Sequence, residues 1–137
     1  MKRVLPFVFI LLFGCAGKEI GTKVLYEGPI NGNFVSSDVL VGYFHKVKNC
    51  MGIEEEVPYP QVVVYDGDHV VCGDKIKEGC TLTDGKILLP KKTSDFIVQH
   101  EFVHYLLLKT TGDLDPGHKS EEFWKCAGRI HIADDVS

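Results

Sequence analysis

One stretch limits the fold more than any other. From Phe96 to Leu108 every residue is apolar except Gln99, His100, Glu101 and His104. Drawn as a helix, the stretch is apolar on nearly every side, and such a helix is a buried one. His100 and His104 are four residues apart, so their imidazoles stand on one face, one turn from each other. Two imidazoles and a carboxylate inside a core are costly unless something satisfies them. A metal ion does: stacked imidazoles can hold one, with Glu101 projecting beside them towards a bound water.

His100-Glu101-Phe102-Val103-His104 resembles the His-Glu-x-x-His motif of the zincin metallopeptidases. The resemblance implies Zn²⁺ as cofactor, His100 and His104 as ligands, Glu101 as general base, and a peptide or protein as substrate. Thr93, Ser94 and Asp95 offer N-caps to the motif helix, which is expected to run to about Thr111, with Gly112 as its C-cap.

Catalytic zinc takes three protein ligands and a water. The metzincin pattern, with Gly three and His six residues after the second histidine, is excluded because Leu107 and Thr110 stand there. His118 is the expected third ligand. Gly112 breaks the helix, Pro116-Gly117 turns the chain, and a helix from Ser120 to about Arg129 follows, with Phe123, Trp124 and Ala127 as its core face. His118 with Phe123 is also similar to the His-Gly-x-x-Phe tail of SprT-like zincins, except that Lys119 replaces the Gly and Phe123 comes one residue late. The alternative is a gluzincin-like arrangement with Glu121 or Glu122 as ligand; the helix dipole gives those acids another reason to be there. Asp113 and Asp115 are turn residues placed to hydrogen-bond behind a ligand imidazole. Tyr105, Arg129 and His131 are available to stabilise an oxyanion.

Upstream, Ser37 caps a helix over about Asp38 to Cys50, with Val39, Leu40, Tyr43, Phe44 and Val47 as its buried stripe and Gly52 at its end. His45 lies off that stripe and reads as surface, as does the charge run Glu54-Glu55-Glu56. Gln61 to Tyr65 is a β-branched run. Asp66-Gly67-Asp68 turns it into a returning strand from His69, itself a surface residue, to Cys72. Asp84-Gly85 joins Thr81-Leu82-Thr83 to Lys86-Ile87-Leu88-Leu89 as a hairpin. By the zincin resemblance, Lys86 to Leu89 borders the cleft and pairs with the substrate backbone. The fold class expected is α+β, a minimal zincin-like fold: an N-terminal helix, a small mostly antiparallel sheet, the motif helix and a C-terminal helix.

Lys2-Arg3 precedes an apolar run from Val4 to Phe13, then Gly14-Cys15. That reads as a secretory signal, its apolar run too short to span a bilayer. Leu12-Phe13-Gly14-Cys15 resembles the bacterial lipobox, with Phe13 larger than usual. The resemblance implies a signal peptide over residues 1–14, lipidation at Cys15, and export to a bacterial envelope with a lipid anchor in the membrane. Residues 15–35, rich in Gly and Asn, read as a tether in which Val24-Leu25-Tyr26 can form a short strand; residues 36–137 form the folded domain. Giving Cys15 to lipid, as that resemblance implies, leaves four of the five cysteines. In an exported protein the other four pair: Cys72 with Cys80 across a short polar loop, and Cys50 with Cys126 by elimination. Beyond the signal, 13 basic residues face 19 acidic ones, which disfavours a nucleic-acid partner. A monomer is expected.

Overall fold

The structure, a computed structural model, describes residues 29–30, 33–34 and 37–127. The signal peptide, Cys15, the 24–26 strand, Arg129 and His131 lie outside the described residues. The described chain is α+β. A two-residue ladder, β1 (Pro29–Ile30) with β2 (Asn33–Phe34), precedes helix α1 (Ser37–Cys50). Then come β3 (Val62–Tyr65), β4 (Val70–Cys72), β5 (Lys75–Lys77), β6 (Cys80–Thr81) and β7 (Ile87–Pro90), followed by α2 (Asp95–Thr111) and α3 (Glu122–Ala127). No described helix is long and apolar enough to cross a membrane.

The motif helix has the expected bounds. Ser94 Oγ accepts from the Ile97 amide at 3.2 Å, and Gly112, at φ 84°, donates to the Leu108 carbonyl. Both ends thus satisfy backbone groups that the helix itself cannot. α2 is buried continuously from Ile97 to Leu106. On one side it meets α1 through Leu40, Phe44 and Val47, which recur at helical spacing. On another it meets α3 through Phe123 and Cys126.

The sheet departs from expectation. Its order is β3-β7-β6, and β3 pairs parallel to β7, from Val62 opposite Ile87 to Tyr65 opposite Pro90. The hairpin from β3 into β4 does not form; β4 pairs instead with β5, inside the loop read as merely polar. Burial explains this. Val62, Val64, Ile87 and Leu89 face the helices, while Val63 and Leu88 on the other face are covered by Val70 and Cys80. Two apolar strands buried on both faces suit adjacent parallel positions. The β4–β5 ribbon, with Val71 exposed, covers the sheet rather than extending it. The hairpin through Asp84-Gly85 does form, with Thr81 opposite Ile87 and Gly85 at φ 95°.

Two further corrections concern position. Ile87 and Leu88 offer no edge to a substrate, because β7 is central there: β3 pairs along one side and β6 takes both residues on the other. Trp124 is exposed rather than core; Cys126 takes its place beside Phe123 and Ala127. Both disulfides form as paired from the sequence. Cys50–Cys126 joins α1 to α3, and Cys72–Cys80 ties β4 to β6.

Candidate metal centre

Three imidazoles converge where α2, the loop after it and α3 meet. His100, His104 and His118 offer ligand atoms that all lie within 4.8 Å of one another. Their ring centroids form a nearly equilateral triangle, with sides of 4.9, 5.0 and 4.9 Å. The first two come from the 3.6-residue repeat of α2, which stacks positions four apart. Both are buried, at 0% and 3% exposure, whereas His118 is half-buried. The centre is therefore dry on the helix side and nearer solvent on the loop side.

The loop that delivers His118 is held by its own polar groups. The Asp115 carboxylate accepts from the Lys119 amide at 3.0 Å and from the Ser120 amide at 2.7 Å. Asp113 in turn accepts from the Asp115 amide at 2.8 Å. These contacts keep Asp115 at φ 59° and His118 at φ 55°, left-handed conformations that Asp and His tolerate better than most residues. Such a backbone costs of order 1–3 kcal/mol per residue, and it persists where the surroundings over-determine it. The two aspartates are thus turn residues, as expected. Behind His104 the hydrogen bond comes from the backbone between them: His104 Nδ1 lies 2.6 Å from the Leu114 carbonyl.

That contact fixes a tautomer. A carbonyl only accepts, so His104 carries its proton on Nδ1 and turns the Nε2 lone pair inward. His104 Nε2 is 3.1 Å from His118 Nε2. Two nitrogens bound at 2.0–2.1 Å to one tetrahedral ion stand about 3.3 Å apart, so the pair fits a shared metal with little movement. Phe123, 2% exposed, packs against all three rings, with centroids 4.9, 4.6 and 4.9 Å from His100, His104 and His118. It holds them together without offering a ligand atom.

Neither Glu121, just before α3, nor Glu122, its first residue, is in this group. Glu121 is exposed and lies 3.9 Å from Lys125, while Glu122 takes the Ser120 hydroxyl at the start of the helix. The histidine, rather than the gluzincin-like glutamate, joins the pair on α2. Glu101 is fully buried and turns towards β6, where Thr81 Oγ1 lies 2.7 Å from its Oε1 and 3.1 Å from its backbone carbonyl. Gly79 lies against the same carboxylate: a Cβ there would stand 3.2 Å from Glu101 Cγ and from Oε2, and 2.8 Å from Ile97 Cγ2. Tyr105 is not placed to stabilise an oxyanion, because its hydroxyl donates to the Pro58 carbonyl at 2.7 Å and burial pushes the phenol up to about 12. His45 and His69 lie away from the centre and exposed, against Tyr59 and Asp68 respectively.

Sequence reading missed Thr81, Gly79 and the Leu114 carbonyl. Thr81 and Glu101 are twenty residues apart, so no local pattern links them. The one available signal was a glycine directly before a disulfide cysteine, where conformation alone does not require it. The residues present suit a metal ion held by three imidazoles; no family model, curated protein or solved structure matches this chain.

Proposed function

We propose that the protein is a zinc-dependent peptide hydrolase of the zincin type, exported and anchored through Cys15 as a bacterial envelope lipoprotein. The observation that carries the reading is a separation of roles along one turn of α2. Three imidazoles gather as a ligand set, and the carboxylate between two of them in sequence is buried outside that set, against β6. A purely structural metal site has no use for such a carboxylate. Zinc is favoured because the donors are three imidazoles, with no thiolate (the four described cysteines are in disulfides), and three protein ligands leave a position open.

His100, His104 and His118 would hold the ion, and the Leu114 carbonyl keeps His104 in the tautomer that ligation needs. When bound, zinc polarises a carbonyl and lowers the pKa of water to about 7. Glu101 takes the proton from the attacking water and delivers it to the leaving nitrogen. General-base action of this kind contributes about 10²–10⁴-fold. The packed walls around Glu101 and Phe123 exclude bulk water from that transfer.

Glu101→Gln tests the reading, because it keeps the side-chain size and all three imidazoles. It is expected to retain near-stoichiometric zinc by mass spectrometry while losing about 10²–10⁴-fold in turnover of a cleavable peptide. Equal cleavage by Glu101→Gln and wild type would defeat the hydrolase. Zinc in the wild type without turnover of any peptide in a broad library would favour a non-catalytic, peptide-binding lipoprotein. Anchoring has its own test: Cys15→Ser is expected to release soluble protein, and membrane-bound Cys15→Ser protein would refute the lipid anchor.

A further inference from the structure

We infer that β6 is the positioning element for the base, with the Thr81 hydroxyl orienting the Glu101 carboxylate and Gly79 making room for it. The inference rests on the hydrolase reading above and assigns it a residue outside the ligand and base set.

The contact is short and buried at its acceptor. Thr81 Oγ1 is 2.7 Å from Glu101 Oε1, and Glu101 is 0% exposed. The hydroxyl has one hydrogen to give. The second contact, 3.1 Å to the Glu101 carbonyl, is longer and goes to a neutral acceptor. The hydrogen therefore goes to the carboxylate oxygen, the nearer of the two acceptors.

Orientation is what this bond supplies. The last torsion of a glutamate joins an sp³ to an sp² carbon and has broad wells, so packing alone defines the carboxylate plane poorly. Tethering Oε1 to a β-branched residue, itself stiff at χ1, fixes that plane. Thr81 is held in turn by its register opposite Ile87 and by Cys80, which is bonded to Cys72. Gly79 completes the device. Its φ lies outside the left-handed region, so it is glycine for space: any Cβ meets Ile97 at 2.8 Å and the carboxylate at 3.2 Å. The orientation of the base is thus set from the sheet, while the imidazoles are set from α2, its following loop and α3.

The test compares Thr81→Val, Thr81→Ser and wild type in the full chain, each loaded with zinc. Val keeps the branched shape and the strand but has no hydroxyl; Ser restores the hydroxyl. Thr81→Val is expected to keep stoichiometric zinc and an unchanged KM while kcat falls about 10–100-fold, the range for loss of a group that orients a functional residue. Thr81→Ser is expected to recover most of kcat. A readout independent of activity accompanies these. Thr81→Val should lower the unfolding temperature in the Glu101 background and lower it less in a Glu101→Met background, where the acceptor is gone. Wild-type kcat in Thr81→Val, equal shifts in the two backgrounds, or a kcat loss that Thr81→Ser does not recover would each overturn the proposal. An inactive wild type would instead sink the hydrolase reading and the positioning role with it, and an active wild type separates the two.

Discussion

The two disulfides close very different loops, and this gives a stability prediction that can be worked from the chain itself. Cys50 and Cys126 are 76 residues apart, whereas Cys72 and Cys80 are 8 apart. A cross-link stabilises mainly by removing conformations from the unfolded chain, and the effect grows with the logarithm of loop length. It comes to about 4.5 kcal/mol for the long loop and about 2.5 kcal/mol for the short one at 25 °C. The difference of about 2 kcal/mol is firmer than either value, since terms common to removing any cystine cancel. Cys50→Ala/Cys126→Ala should therefore lose about 2 kcal/mol more than Cys72→Ala/Cys80→Ala. The assay is urea unfolding of both double variants and wild type, zinc-free. With a slope of about 1–3 kcal/mol/M the midpoints of the two variants separate by about 1 M. Equal midpoints at equal slopes, or a lower midpoint for the short-loop variant, would refute the chain-entropy argument for this protein.

Two further outcomes follow from the site. Tyr105→Phe should leave kcat within about twofold of wild type while losing roughly 1 kcal/mol of stability, because the hydroxyl serves the Pro58 carbonyl and not the reaction; a large fall in kcat at unchanged stability would return Tyr105 to the chemistry. Asp115→Ala should weaken zinc binding about 10–100-fold in competition with a chromophoric chelator, without unfolding the protein, because the Lys119 and Ser120 amides lose the carboxylate that shapes the His118 loop. Unchanged affinity would show that the loop holds its left-handed turn without Asp115.

What the sequence made legible was whatever repeats locally. The bounds of α2 followed from Ser94 and Gly112, and the stripe of α1 from Leu40, Phe44 and Val47. The disulfide pairing followed from the even set of four cysteines left once Cys15 was set aside, two of which bracket a short loop. Strand pairing was not legible in the same way. Asp66-Gly67-Asp68 and Asp84-Gly85 look alike as turns, yet only the second joins hydrogen-bonded strands. The first is tied elsewhere, with the Lys91 and Lys92 amides donating to the Tyr65 and Gly67 carbonyls. A run such as Val62-Val63-Val64 carries no period to say which faces are covered, and here both are. The same limit applies to Trp124: on a helix of six residues the buried stripe is too short to fix from spacing, and Cys126 sits in it instead.

The site divides along this line. Ligands are legible because metal chemistry restricts residue type and because α2 spaces two of them. Their supports are not, because a carbonyl such as that of Leu114 belongs to any residue, and a threonine such as Thr81 is common in strands. The supports also reach the site from two directions. Cys50–Cys126 ties to α1 the helix that carries Phe123, so the ring packed against three imidazoles is braced from the far side of the core. Cys72–Cys80 ties down the strand that touches Glu101. Two of the three imidazoles thus share α2 with Glu101, yet the imidazole cluster and the carboxylate are braced by different cross-links. Losing the long-range disulfide should act first on metal retention, and losing the short one on turnover at full metal occupancy. A protein in which both losses removed zinc alike would have one support, not two.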